Sequence, residues 1–165
     1  MNAWPTGDRV SLDAFYGSHR LGPDGLPTHD WEIEQLVMIR PAYAMWAAWD
    51  STIAIERIRC HRLVAESLLR ILREVRDSTW PGRGAYGGCY NYRTVRGNPT
   101  VLSTHSWGIA IDLDPGPNAL GRKWTSAPPM IPMEIVEIFQ KEGWTWGGNF
   151  RRPDCMHFEA TSRST

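Results

Sequence analysis

The sequence predicts an α+β domain with a small, mainly antiparallel sheet flanked by helices. Three observations predict it. Leu68, Leu69, Leu72 and Val75 recur at helical spacing. Cys89–Val95 and Trp107–Leu113 alternate with the two-residue period of strands. Glycine and proline clusters separate these runs by tight turns, so helices and short strands follow one another without the long crossovers of a parallel sheet.

Taken in order, residues 1–30 are rich in Gly, Pro, Asp and His and read as an irregular N-terminal arm, with turn signals around Gly22–Pro27. Ile33, Leu36, Val37 and Ile39 suggest a short helix before Pro41, and residues 50–60 are ambiguous between strand and helix. From His61 to Asp77 a helix is expected, with Ala65 one turn before the leucines and Arg62, Arg70, Arg73 and Arg76 mostly on other faces. Ser78–Gly82 ends it, and a glycine-rich turn follows to Gly88. In the strand Trp107–Leu113, Ile109, Ile111 and Leu113 share an apolar face opposite Gly108, Ala110 and Asp112; Pro115-Gly116-Pro117 stops it. A second helix is expected from Pro132 to Glu142, with Pro132 in its first turn and Gly143 just past its end. Trp144–Gly148 reads as a strand entering a turn, and Met156–Glu159 as another strand.

The 165 residues suit one domain, here 1–165, which can bury roughly 70% of the surface its unfolded chain exposes. Eighteen basic and eighteen acidic residues balance, which argues against nucleic acid as a partner and makes the arginine-rich helix face a solvated one. Three cysteines (Cys60, Cys89, Cys155) cannot all pair within one chain and are expected reduced. No basic segment followed by an apolar one opens the chain, so synthesis in the cytoplasm without a signal peptide is expected. The most apolar stretch is too short and interrupted for membrane insertion. Nine Trp suit either a groove or large core packing pieces.

The chemistry concentrates in His105, Asp112, Asp154 and His157. Two imidazoles and a carboxylate make three zinc ligands, leaving one position open for water. Asp112 shares its strand face with Gly108 and Ala110, whose small side chains leave room for a bulky object; the plainer alternative is a strand-end turn. His105, seven residues earlier, falls on the opposite face by alternation and so must sit on a loop or bend before the strand. Asp154 and His157, three apart, can reach one cleft while only one binds metal. A second carboxylate beside an activated water can accept its proton and pass it to a leaving amine. The plainer alternative for Asp154 is a salt bridge to Arg151 or Arg152.

The run Ser103-Thr104-His105-Ser106-Trp107-Gly108-Ile109-Ala110-Ile111-Asp112 resembles the S-x-H-x-x-G-x-A-x-D motif of the D-Ala-D-Ala carboxypeptidase group of zinc peptidases. That group includes vancomycin-resistance carboxypeptidases and the L-alanyl-D-glutamate endopeptidases of phage endolysins. Asp154–Glu159 resembles its second motif, Gly143–Gly148 its G-W-x-W-G-G stretch, and Gly87–Arg93 its upstream segment with a substrate-binding arginine. These pieces span about residues 86–159 in the group's order. The resemblance implies a hedgehog/D-Ala-D-Ala peptidase-like fold and one zinc ion on His105, Asp112 and His157. It implies Asp154 as general base and acid, and Arg93 as the group that anchors a substrate carboxylate or polarises the scissile carbonyl. Ser103 is expected to orient the loop or bond a ligand, Trp146 to line the groove or pack in the core, and Glu159 to orient His157, with competition with Asp154 as the base its alternative. For Arg93 the alternative is a salt bridge on a sheet surface.

The expected function is therefore zinc-dependent hydrolysis of the peptidoglycan stem peptide by a monomer, most specifically as an endolysin-type L-alanyl-D-glutamate endopeptidase reaching the wall after holin-mediated release. A D-alanyl-D-alanine carboxypeptidase is the near alternative. A non-catalytic binding or virion protein that keeps the zinc fold is the distant one. No H-E-x-x-H, P-loop or G-x-S-x-G occurs.

Overall fold

The computed structural model describes residues 3–163. Its helices are α1 (Arg9–Tyr16), α2 (His29–Gln35), α3 (Ala65–Asp77) and α4 (Met133–Lys141). Its strands are β1 (Leu36–Ile39), β2 (Trp46–Ala47), β3 (Asp50–Ala54), β4 (Ile58–His61), β5 (Ala85–Gly88), β6 (Thr94–Val95), β7 (Asn98–Leu102), β8 (Ala110–Leu113), β9 (Thr145–Trp146) and β10 (His157–Glu159). One sheet has the order β3-β2-β5-β8-β10-β9, antiparallel except where β2 runs parallel to β5. Two-stranded pairs β1–β4 and β6–β7 flank it. The expected α+β class is the one observed. No helix among the described residues is long and apolar enough to cross a membrane.

Helix α3 ends at Asp77 as periodicity placed it but starts at Ala65, not His61, because Ile58–His61 pairs with β1 as a strand; its buried stripe is Leu68, Ile71, Leu72 and Val75, with Leu69 only half-buried. Burying four such side chains stabilises by roughly 1.5–3 kcal/mol each. The end of α4 is pinned to α3 by polar bonds. Ser67 Oγ donates to Glu142 Oε2 (2.8 Å), Arg70 forks onto the same carboxylate (2.8 and 2.9 Å), and Trp144 Nε1 donates to Ser67 Oγ (3.0 Å). One turn before that end α4 carries Phe139, which stacks on Phe158 of β10 with ring centroids 3.8 Å apart. Because strand side chains alternate, anchoring Phe158 in the core turns His157 and Glu159 to the opposite side.

Three expectations are corrected. The N-terminal arm is not irregular throughout. Asp8 caps α1 by accepting from the Ser11 N–H (3.0 Å), and Leu12 and Tyr16 pack into the core. The helix before Pro41 ends at Gln35, and Leu36–Ile39 pairs with β4 as a strand. Cys89–Val95 is not a continuous strand: only Thr94–Val95 is extended and paired. The preceding residues spend their hydrogen bonds on the loop before β8, with Asn91 N to His105 O (3.0 Å) and Arg93 N to Ser106 Oγ (3.0 Å). Arg93 and Asn91 therefore do not share a sheet face.

Candidate metal centre

His105 lies in a 3-10 turn, Thr104–Trp107, immediately before β8. Ser103 caps that turn, its Oγ accepting from the His105 N–H (3.4 Å). Gly108 closes it in the left-handed region (φ 70°), which an L side chain enters only at a cost. This reversal answers the parity problem of a histidine and an aspartate seven residues apart: His105 departs from the turn, Asp112 from the strand, and they meet. His157 arrives from β10, where it is the direct antiparallel partner of Asp112.

The three side chains converge tightly. His105 Nε2 is 3.2 Å from Asp112 Oδ1 and 3.2 Å from His157 Nδ1, and His157 Nδ1 is 3.0 Å from Asp112 Oδ1. All three residues are buried. Such edges approach the roughly 3.3 Å separation of ligand atoms about 2.0–2.1 Å from a tetrahedral centre. The outer nitrogens define the inner ones. His105 Nδ1 donates to the Cys89 carbonyl (2.6 Å), which leaves Nε2 as a lone pair. His157 Nε2 donates to Glu159 Oε2 (3.0 Å), which turns Nδ1 inward. The inner triangle thus has three close contacts and at most one proton to share among them, so the donor set fits a divalent cation. In the metal-free protein burial opposes charge on His157, but Asp112 and Glu159 hold its pKa up to about 10. Burial likewise opposes the Asp112 charge, and His105 and His157 outweigh it, drawing that carboxyl far below the usual range.

Glu159 is almost wholly buried and fully engaged. Oε2 accepts from His157 and Thr104 Oγ1 (2.8 Å), and Oε1 from Thr161 Oγ1 (2.8 Å) and Arg163 Nε (2.6 Å). With no lone pair left over it orients His157 and is unsuited to moving protons. Asp154 is the opposite case. Its Oδ1 is buried without any hydrogen-bond partner, and no ion pair joins it to Arg151 or Arg152 among the described residues. Burial pushes its pKa up to about 6, with Asp112 adding to the rise and His157, His105 and Arg93 opposing it. Asp154 is held in place through Gly147, where a Cβ would come within 2.5 Å of the Asp154 carbonyl and 3.2 Å of His157 Cβ.

Ser103, His105, Asp112, Asp154 and His157 all line one cleft of about 400 Å³, together with Arg93. Arg93 donates from Nη1 to the Thr94 carbonyl (3.2 Å) and has no acidic partner among the described residues. Trp146 stands apart: it packs in the core and donates from Nε1 to the Cys155 carbonyl (2.8 Å), so it does not line this cleft. The three cysteines are free and buried. Sequence reasoning missed Thr104, Ser106, Thr161, Arg163 and the Cys89 carbonyl. Thr104 and Ser106 had one signal, their place on either side of His105; the carbonyl had none, since every residue carries one.

A family model described as D-alanyl-D-alanine carboxypeptidase matches residues 96–160, a segment that contains His105, Asp112, Asp154 and His157. Over this segment the chain is similar to that family, and the similarity supports a zinc metallopeptidase. The match covers under half of the chain, and Arg93 lies just outside it. No curated protein and no solved structure gives a match. That similarity supports, in general terms, a peptidase acting on peptidoglycan peptides.

Proposed function

We propose that this zinc peptidase cuts the peptidoglycan stem peptide between L-alanine and D-glutamate, as an endolysin-type endopeptidase that reaches the wall through a holin-made opening. The observation that carries the hydrolytic reading is the buried, unpartnered Asp154 Oδ1 in the cleft where His105, Asp112 and His157 converge. A carboxylate denied solvent and partners is a base kept ready for a proton.

His105, Asp112 and His157 would hold the ion. Bound there, zinc supplies Lewis acidity to a water or to the scissile carbonyl. Asp154 Oδ1 takes the proton of the attacking water and then hands it to the departing amine nitrogen, so the leaving group departs neutral. Arg93 offers a guanidinium to a substrate carboxylate or to the carbonyl oxygen as negative charge grows on it. Glu159 and the Cys89 carbonyl hold the two imidazoles in one orientation throughout.

The endopeptidase is preferred because the D-glutamate beyond the scissile bond carries its own carboxylate and leads to further acidic groups, and the cleft presents cations. The description of the matching family favours the second reading, release of a terminal D-alanine. Mass spectrometry of muropeptides after digestion separates them. New N-terminal D-glutamate is expected; free D-alanine would replace this reading with the second. Intact muropeptides from every wall type would overturn both.

A further inference from the structure

Besides Arg93, the cleft is lined by Arg96, Arg151, Arg152 and Arg163. Arg163 is committed: it bonds Glu159 and lies over the Phe150 ring at 4.5 Å. Arg96, Arg151 and Arg152 have no acidic partner among the described residues, although the whole chain is charge-neutral. They come from two segments, the turn of the β6–β7 hairpin and the loop before β10. These segments meet where Arg152 Nη1 donates to the Arg96 carbonyl (3.2 Å). The acidic side chains of the cleft offer these arginines nothing. Asp112 faces two histidines, Glu159 is saturated, and Asp154 Oδ1 has no hydrogen-bond partner, so it pairs with none of the three. Three unpaired guanidiniums beside a reaction centre are a receptor for anions, and planar forks suit carboxylates.

We propose that Arg96, Arg151 and Arg152 form a carboxylate subsite, separate from Arg93, that makes the cleft select stem peptides whose acidic residues are free acids over those in which they are amidated. The proposal rests on the stem-peptide reading for its substrate but not for its chemistry. Neutralising one carboxylate as its amide keeps the peptide's shape and removes only the charge these arginines recognise.

The test uses two synthetic peptides, L-Ala-γ-D-Glu-diaminopimelate-D-Ala with the D-glutamate carboxyl free or as the carboxamide. Cleavage is measured with the zinc-loaded parent, and binding by calorimetry with the zinc-loaded Asp154→Ala protein. In both, the free acid is expected to be preferred by about tenfold or more, the worth of one well-made charge-assisted pair. Arg151→Ala/Arg152→Ala and Arg96→Ala are expected to bring the ratio towards one, with zinc content per chain unchanged. Salt well above physiological strength, where the screening length falls below ~8 Å, should also shrink it. A parental ratio near one, or a ratio indifferent to these substitutions, overturns the subsite. Cleavage of both peptides at equal rates would sink the subsite and leave the peptidase reading standing. Arginine-dependent binding of the free acid with cleavage of neither peptide would do the reverse.

Discussion

Glu159→Gln is the most informative single substitution, because the structure dictates which way the new amide must turn. Both carboxylate oxygens accept two hydrogen bonds in the native protein. Glutamine keeps one oxygen and offers an NH2 at the other end. Arg163 cannot become an acceptor, so the amide oxygen must face Arg163 and Thr161, and the NH2 must face Thr104 and His157. Thr104 can rotate its hydroxyl and accept. His157 can accept at Nε2 only by moving its proton to Nδ1, the atom that points at Asp112 and the metal position. The metal therefore loses a ligand lone pair, or the protein keeps it and leaves two N–H groups opposed. Losing an outer partner of a metal-bound histidine costs about 10–100-fold in affinity, or about 1.4–2.8 kcal/mol. The buried mismatch costs a further ~1–3 kcal/mol of stability in the metal-free protein. Competition for zinc against a calibrated chelator measures the first, and thermal melting of the metal-free protein the second. Zinc affinity within a factor of two of the parent would refute the argument that Glu159 sets the His157 tautomer.

Four further outcomes are expected. Asp154→Ala should keep about one zinc per chain and lose at least ~100-fold in kcat, within the range for a positioned proton carrier; undiminished hydrolysis would remove Asp154 from the chemistry. The Asp154 carboxyl is raised to about 6 by burial, so it binds its proton more tightly folded than unfolded. Its contribution to stability is present at low pH and lost as pH rises through 6, and Asp154→Asn should therefore melt higher than the parent at pH 8 but not at pH 4. Zinc uptake must displace a proton from His157, whose pKa is held near 10 in the metal-free site, so apparent zinc affinity should rise up to about tenfold per pH unit across the neutral range, with about one proton released on binding. Gly147→Ala should force the Asp154 carbonyl and His157 apart and lower zinc affinity, read by the same chelator competition.

What the sequence revealed of this fold follows from where its hydrogen bonds and apolar contacts lie. Helix α3 was legible because its burial is local and periodic, and β8 because Ile109, Ile111 and Leu113 alternate. The Cys89–Val95 run alternates just as well but bonds to the His105 turn instead of a neighbouring strand, a partner that no two-residue period encodes. Helix α1 was hidden because Val10 and Phe15 face outward, leaving only Leu12 and Tyr16 as its buried side. At the site, residue types and motif order singled out His105, Asp112, Asp154 and His157. The saturation of Glu159, the isolation of Asp154 and the arginines gathered from two loops are properties of folded geometry.

Asp112 and His157 sit directly across from one another on adjacent strands. A slip of one residue between β8 and β10 would send one of them to the far side of the sheet. Ion capture therefore requires correct strand alignment first, and a metal-sensitive dye followed during refolding would act as a stopwatch for the moment when the centre of the sheet has locked.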